Sequence, residues 1–424
     1  MRIPLSFGKG GLVVELPETA RVSVLGMAGA PPVAEPGRKL RSLLEQPIGS
    51  PPLAALCRGR TSACVVLCDI TRPVPNRLLL PPMLEILETC GIPRERITLL
   101  TATGLHRPST AQEHEEIVGR DILDRYRVVD HRAREESEQR FLGRTGRGTP
   151  VLIDRTYCDA ELKITTGFIE PHLMAGFSGG RKLVAPGCAG EETIKALHSP
   201  SFLEQPACCE GSVDANPLHH ELLAISSMAG HDFIVNVALD REHRVTGLFA
   251  GDPLRAHAEG MAFVRRAVRA RLATAADIVI TTSAGYPLDL TYYQAIKGLT
   301  AALPAVRRGG VLILAAECAE GLGGPEFTAM ATRFSSARDF TDHVRSSPVE
   351  VDQWQLEECA RAVRHAEAIL VSPRIAREYA GGLFVRTVSS MDEALRIAFS
   401  RAGSQPHVAV IPQGPYTLVE LGTA

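Results

Sequence analysis

The strongest constraint on the fold is a repeated order of elements: a short apolar run, a polar loop, then an amphipathic helix. The apolar runs lie at residues 63–68, 97–101, 162–166, 233–238, 277–282, 311–315, 368–371 and 408–411. Continuous runs of this length are typical of strands buried on both faces of a parallel sheet. Strands that alternate with helices predict an α/β fold with largely parallel sheets.

The length of 424 residues predicts two domains. A second α/β unit begins near Asp277, so we expect an N-terminal domain at residues 1–272 and a C-terminal domain at 273–424. An alternative for the last residues of the chain is that they pack against the first domain. We expect a cleft for cofactor and substrate between the two domains.

Composition excludes several classes of protein. Hydrophobic residues make up 45% and charged residues 22%, and the net charge of −2 offers no basic surface for nucleic acid. We find no polybasic block, no signal peptide at the amino terminus and no apolar run long enough to cross a membrane. Ten cysteines without a CxxC pair indicate reduced thiols. We therefore expect a soluble, cytoplasmic protein.

The stretch at residues 162–190 combines a strand with a glycine-rich loop. Its sequence GFSGGRK contains Ser178 and Gly179, followed by Arg181 and Lys182. Consecutive amides near glycines form a concave anion site, and the two basic side chains add positive charge. The loop therefore predicts a site for a phosphorylated ligand. A common turn is the alternative, since the glycine spacing matches neither the dinucleotide fingerprint nor the P-loop.

Polar side chains follow several of the predicted strands, end one helix and begin another. They are Asp69, Arg72, His106, His172, His198, Gln294 and Lys297. Histidines at two strand ends suit one acid and one base on opposite faces of a substrate, as a racemase requires. Gln294 and Lys297 share a helix face, which suits binding of a carboxylate. The alternative for each residue is a purely structural role, as a helix or turn cap, a surface charge or a buried core group.

Five separated motifs, in order along almost the whole chain, carry a family resemblance. They are DITRP (69–73), TATGLHR (101–107), EPHLMAGFSGGRK (170–182), LHSP (197–200) and YQAIK (293–297). Together they resemble the nickel-dependent lactate racemase family.

The resemblance implies a cofactor, the nickel pincer nucleotide, a pyridinium-3-thioamide-5-thiocarboxylic acid mononucleotide with Ni²⁺. Lys182 would carry it through a thioamide, and His198 would be the protein ligand to nickel. Lys182 is also a predicted residue of the metal site, because it would hold the cofactor that carries the nickel. Enzymes that build the cofactor are the implied partners, and homo-oligomerisation stays open.

The resemblance also implies roles for the other site residues. His106 and His172 would be the acid/base pair in a hydride-transfer racemisation, with Asp69 orienting them and Arg72 stabilising substrate oxygens. Gln294 and Lys297 would bind the carboxylate. The remaining predicted contacts are pocket residues Tyr293 and Trp354 and the nucleotide-binding residues Thr71, Ser178, Gly179 and Arg181.

The substrate stays open among 2-hydroxy acids: lactate, malate, a larger aliphatic or aromatic hydroxy acid, or a sugar acid. Two other classes remain as alternatives. One is a nicotinamide-dependent oxidoreductase, which the missing glycine fingerprint disfavours. The other is a non-catalytic binding protein for the nickel nucleotide, which would need neither His106 nor His172.

Overall fold

The computed structural model describes residues 1–379 and 383–422. The strands are β1 (Arg2–Leu5), β2 (Leu12–Glu15), β3 (Arg21–Val24), β4 (Ala63–Cys68), β5 (Ile97–Ala102), β6 (Arg127–Asp130), β7 (Gln139–Arg144), β8 (Pro150–Asp154), β9 (Leu162–Phe168), β10 (Pro171–His172), β11 (Gly176–Phe177), β12 (Phe233–Leu239), β13 (Val245–Gly251), β14 (Arg269–Leu272), β15 (Ala276–Thr282), β16 (Val306–Ala315), β17 (Glu367–Val371), β18 (Arg386–Val388), β19 (His407–Ile411) and β20 (Leu418–Leu421).

The helices alternate with these strands, as the sequence pattern predicts. They are α1 (Pro36–Glu45), α2 (Leu53–Leu56), α3 (Asn76–Thr89), α4 (Ala111–Val118), α5 (Arg120–Leu123), α6 (Arg155–Asp159), α7 (Arg181–Val184), α8 (Glu191–Leu197), α9 (Pro200–Leu203), α10 (Pro217–Ala229), α11 (Arg255–Val268), α12 (Tyr292–Ala302), α13 (Pro325–Ala331), α14 (Ala337–Ser346), α15 (Gln353–His365), α16 (Pro373–Glu378) and α17 (Met391–Arg401). In the described part of the chain, no helix is long and apolar enough to span a membrane.

The chain forms two compact units. Unit A consists of Gly29–Leu197 and Ser212–Val264, and unit B of Met1–Ala28, His198–Gly211 and Arg265–Ala424. This division differs from the contiguous domains expected at 1–272 and 273–424. Each unit is built from segments that are separated in the sequence by segments of the other unit. Strand β3, near the amino terminus, pairs with β19 at the edge of the sheet in unit B. The segment 198–211 also belongs to unit B, and it brings His198 with it.

The core of unit A is a six-stranded sheet in the order β13-β12-β9-β4-β5-β6. All its strands are parallel except β13, which pairs antiparallel with β12. All six residues of β4 are buried, which explains why its sequence is continuously apolar. Asp69 follows β4 directly and His106 follows β5 by four residues, so the sheet places both at one edge.

Unit B contains a second six-stranded sheet, in the order β18-β17-β16-β15-β19-β3, and every strand pair in it is parallel. Apolar clusters cover its two faces. Strand β20 pairs with β14 in a separate two-stranded sheet. The predicted α/β class with largely parallel sheets is therefore confirmed.

Candidate functional site

Asp69, Thr71 and His106 form one hydrogen-bonded group at the strand ends of unit A. His106 Nδ1 lies 2.6 Å from Asp69 Oδ2, and the Thr71 hydroxyl donates to Asp69 Oδ1 at 2.5 Å. Asp69 is buried, whereas the His106 side chain is 59% exposed. With Nδ1–H donated to the carboxylate, a neutral His106 has its lone pair on Nε2. This arrangement makes Nε2 a base.

The ionised form of Asp69 is favoured in this group. Burial raises the pKa of its carboxyl, but the hydrogen bond from His106, the charge of His106, the Thr71 hydroxyl and the charge of Arg72 together lower it more. The pKa of Asp69 therefore lies below its ordinary value. An ionised Asp69 holds His106 in one orientation and one tautomer.

Arg72 lies in the same loop and pairs with an acidic residue that the sequence did not single out. Its Nε is 3.3 Å from Glu170 Oε1, and both side chains are largely shielded from solvent. Glu170 stands two residues before His172, so this ion pair joins the loop after β4 to the loop after β9. No local spacing indicates such a pairing, because the two residues are far apart in the sequence.

His172 and Lys182 contact each other directly. The amides of Met174 and Ala175 point at His172 Nδ1, at 3.3 and 3.2 Å, and His172 Nε2 lies 2.6 Å from Lys182 Nζ. Because Nδ1 accepts hydrogen bonds, a neutral His172 carries its proton on Nε2. Neutral His172 is thus held in the opposite tautomer from His106, with an N–H group at Nε2.

The glycine-rich loop is held by side chains that we had expected to contact a ligand. The Ser178 hydroxyl donates to the Phe168 carbonyl at 2.7 Å and accepts from the Glu170 amide at 3.0 Å. Arg181 is 1% exposed, and its guanidinium donates to the carbonyls of Ala175 and Phe177 at 2.8 and 3.1 Å. In this structure Ser178 and Arg181 therefore shape the loop. Their contact with a nucleotide stays a prediction.

Two residues that sequence reasoning missed complete this loop. Asn236 Oδ1 accepts from the Gly180 amide at 2.8 Å, and His257 Nε2 donates to the Ser178 carbonyl at 2.8 Å. A Cβ atom at Gly179, where φ is +79°, would lie 2.7 Å from Asn236 Oδ1, so this position requires glycine. The polar Asn236 inside the apolar run of β12 was the available signal.

Three of the predicted site residues contact one another in unit B. The rings of His198 and Trp354 have centroids 4.6 Å apart, and Trp354 Nε1 donates to the Tyr293 hydroxyl at 3.2 Å. Trp354 is buried, with His198 and Tyr293 partly so. Burial raises the pKa of Tyr293, which therefore stays a neutral phenol. Trp354 thus lies against His198, the predicted nickel ligand.

Gln294 and Lys297 lie in the first two turns of α12, also in unit B. Thr291 caps this helix by accepting from the Gln294 amide at 3.3 Å. The spacing of three residues places both side chains on one face, as expected. The Oε1 atom of Gln294 is buried and has no hydrogen-bond partner in the described part of the chain.

A metal held by protein side chains alone would need several converging ligands. Among residues 1–379 and 383–422, no three His, Cys, Asp or Glu side chains are arranged to hold an ion. An isolated imidazole such as His198 is a suitable nickel ligand only if other donor atoms complete the coordination.

Comparison with known proteins identifies the family. Residues 7–210 match the model of the lactate racemase N-terminal domain, and residues 272–419 match that of the lactate racemase C-terminal domain. The lactate racemase of Thermoanaerobacterium thermosaccharolyticum is 34% identical over 422 residues, which cover 98% of this chain and 99% of that protein. The chain belongs to the lactate racemase family.

Two further comparisons agree with membership of the lactate racemase family. The lactate racemase of Lactiplantibacillus plantarum is 37% identical over 383 residues, covering 89% of each chain. The structure of the lactate racemase apoprotein from T. thermosaccharolyticum superposes with a TM-score of 0.93 at 33% identity, covering 99% of this chain and all of that one. The protein is accordingly an isomerase of the racemase class.

A more distant structure shows the fold alone. A Thermotoga maritima protein superposes with a TM-score of 0.68 at 19% identity, covering 91% of this chain and 98% of its own.

Proposed function

We propose that this enzyme inverts the α-carbon of a 2-hydroxy acid, with lactate as the substrate, using a covalently attached nickel pincer nucleotide. The observation that carries the proposal is the pair of histidines in unit A. His106 presents an unprotonated Nε2 and neutral His172 a protonated Nε2, each through the partners of its Nδ1 atom. Two imidazoles held in opposite tautomers suit the proton transfers of a reaction that runs in both directions.

The residues of the chain fit the proposed cofactor in donor chemistry. Lys182 offers a primary amine, beside His172, that can form an amide-type link to a thiocarboxylate. His198 offers an imidazole, a ligand that suits nickel, while the remaining donor atoms would come from the pincer's sulfur groups. The chemistry that the bound group supplies is acceptance and return of the hydride of the α-carbon.

The side chains of the protein would bind the substrate and move its proton. One histidine takes the hydroxyl proton as the alcohol becomes a ketone, and the other histidine serves the opposite enantiomer. Asp69 fixes the orientation of His106, and Arg72 stabilises the developing charge on the substrate oxygen. Gln294 and Lys297 bind the carboxylate, and Tyr293 and Trp354 shape the pocket.

The proposal also covers the proteins that act with this enzyme and the cellular compartment in which it works. The cofactor-building enzymes would act before this enzyme, and assembly into a homo-oligomer stays an additional proposal. The ten cysteines are free thiols, which is consistent with the cytoplasm. Thr71 and Gly179 would contact the nucleotide, whereas Ser178 and Arg181 would act through the shape of their loop.

The test is to produce the enzyme together with the cofactor-building enzymes and to measure its intact mass, its nickel content and its conversion of each lactate enantiomer. We expect a mass addition on the Lys182 peptide, about one nickel per chain, and formation of the other enantiomer. Lys182→Ala should lose the mass addition. His106→Ala and His172→Ala should retain it and lose turnover by on the order of 10²-fold or more.

Each negative outcome removes a different part of the proposal. An unmodified, nickel-free protein, under conditions that load the T. thermosaccharolyticum enzyme, would refute the cofactor. Activity in both histidine variants would refute the acid/base assignment. A loaded enzyme that converts malate, a sugar acid or a larger hydroxy acid instead of lactate would change the substrate and leave the mechanism in place.

A further inference from the structure

The sheet of unit B has a point where its strand order changes direction. From β15 the chain moves outward through β16, β17 and β18, and it then returns to the other side of β15 to form β19. In open α/β sheets, ligands bind outside the carboxyl ends of the strands at such a point. The relevant position in unit B is therefore the edge where β15 and β19 end.

Two segments converge on the last residue of β15 at this edge. A Cβ atom at Gly298 of α12 would lie 2.5 Å from the Thr282 carbonyl oxygen, and one at Gly414, just after β19, would overlap the same oxygen. The Thr282 hydroxyl also donates to the Pro412 carbonyl at 3.0 Å. Helix α12 and the turn at residues 412–416 thus pack against one carbonyl group.

Each segment presents a glutamine at this position. Gln294 lies four residues before Gly298, on the same face of α12, and Gln413 directly precedes Gly414. Both side chains are partly buried. The Oε1 atoms of both are shielded from solvent and, among the described residues, have no hydrogen-bond partner. Buried amide oxygens are normally paired, so two unpaired amide oxygens at one edge indicate a missing polar partner.

The first amides of α12 are already paired within the protein. The amides of Tyr292 and Tyr293 donate to the carbonyls of Gly321 and Leu322, at 2.9 Å each, and the Gln294 amide donates to Thr291. The first amides of α12 are therefore already used. Side chains are therefore the donors that the start of α12 offers to a carboxylate.

We infer that Gln413 is a second substrate-binding amide, which donates to the substrate carboxylate beside Gln294 and Lys297. This inference rests on the proposed function and extends its binding site to the turn after β19. A glutamine amide can rotate to present its NH₂ group, and neither Oε1 atom has a protein hydrogen bond to lose in the rotation.

The experiment compares Gln413→Leu and Gln413→Glu in the cofactor-loaded enzyme. We expect Gln413→Leu to raise KM for lactate by roughly tenfold, since it removes one hydrogen bond to a charged group, while kcat changes little. Gln413→Glu should raise KM further because two carboxylates repel each other. The thermal midpoint of Gln413→Leu should equal or exceed that of the wild type, because no internal hydrogen bond is lost.

Gln139→Leu is the matched control. The Gln139 amide is also buried, but it donates to the Arg132 carbonyl at 2.9 Å in unit A. This variant should lower the thermal midpoint and leave KM unchanged. If Gln413→Leu behaves in the same way, Gln413 is a structural amide and the inference fails.

A calorimetric titration of lactate into each protein separates this inference from the proposed function. Weaker binding by Gln413→Leu than by the wild type supports the inference even if the wild type does not turn lactate over. Equal binding by the two proteins, or no binding by the wild type, overturns it.

Discussion

At the scale of single residues, the contact between Asp69 and His106 leads to a specific prediction. Asp69→Asn keeps the size of the side chain but removes the charge that holds His106 Nδ1 at 2.6 Å. We expect kcat for lactate to fall by on the order of 10²-fold with little change in KM, because the base loses its tautomer and orientation. Steady-state kinetics on enzyme with the normal mass addition on the Lys182 peptide would measure this.

Thr71→Val is the control for that substitution. It removes the hydroxyl that donates to the other oxygen of the same carboxylate, at 2.5 Å, and leaves the His106 contact intact. Its kcat should fall far less than that of Asp69→Asn. Equal losses in the two variants would mean that Asp69 acts by shaping its loop and not through His106.

Single residues also show what the sequence could predict. Asp69, His106 and His172 were identifiable because polar groups at the carboxyl ends of buried strands stand out from apolar runs. The partners of Arg72 and of the Gly180 amide were not identifiable. Glu170 pairs with Arg72, and Asn236 holds the Gly180 amide, through contacts across the sheet that no local spacing encodes. The burial of Arg181 was not predictable, because a charge in a glycine-rich loop gives no indication of its exposure.

At the scale of elements, the loop between β9 and α7 depends on the buried Arg181. In Arg181→Met the carbonyls of Ala175 and Phe177 each lose a hydrogen bond from the guanidinium, and a hydrogen bond to a charged group contributes about 1.5–3 kcal/mol. We expect the free energy of unfolding to fall by on the order of 2 kcal/mol, with part of the loss offset because a buried charge is removed. Urea unfolding of the cofactor-free protein would measure the change.

Arg144→Met is a suitable control, because Arg144 also donates to a backbone carbonyl, that of Gly148, but at an exposed hairpin. Its effect should stay within about 0.5 kcal/mol. If Arg181→Met is equally mild, the loop does not need the guanidinium, and a direct role for Arg181 in binding the nucleotide becomes the better account.

The elements themselves were predictable to the extent that they are buried. The central strands β4, β9, β15 and β19 appear in the sequence as apolar runs, since both of their faces are covered. Helix α11 stops at Val268, because Arg269–Leu272 forms β14 beside β20. A strand of only four residues, paired with a distant segment, is too short to be recognised from its local sequence.

At the scale of the whole molecule, the two units contain buried ionisable groups of opposite kinds. In unit B, burial raises the pKa of Glu358 to about 8, against the lowering effect of Arg361, and raises that of Glu357 to about 7. In unit A, burial lowers the pKa of His219 to about 3 and that of His257 well below its usual range. At these four positions the fold thus favours neutral carboxyls in unit B and neutral imidazoles in unit A.

These pKa shifts predict opposite pH dependences. An unfolded chain releases the two Glu protons near their ordinary pKa of about 4.3, so the folded unit B holds more protons above that pH. Its stability should fall as the pH rises through about 7 to 8. An unfolded chain takes up protons on the two histidines below about pH 6.5, whereas the folded unit A does not. Its stability should fall as the pH decreases from 6.5 towards 3.

Hydrogen exchange followed by mass spectrometry between pH 4.5 and 8.5, corrected for the intrinsic exchange rate, would follow each unit through its own peptides. Protection of β15 and α15 should decline toward high pH, and protection of β9 and β12 toward low pH. Glu358→Gln cannot ionise, so it should flatten the first decline only, and His219→Gln should reduce the second only. A common pH dependence in peptides from both units, unchanged by either substitution, would show that these buried groups do not control stability.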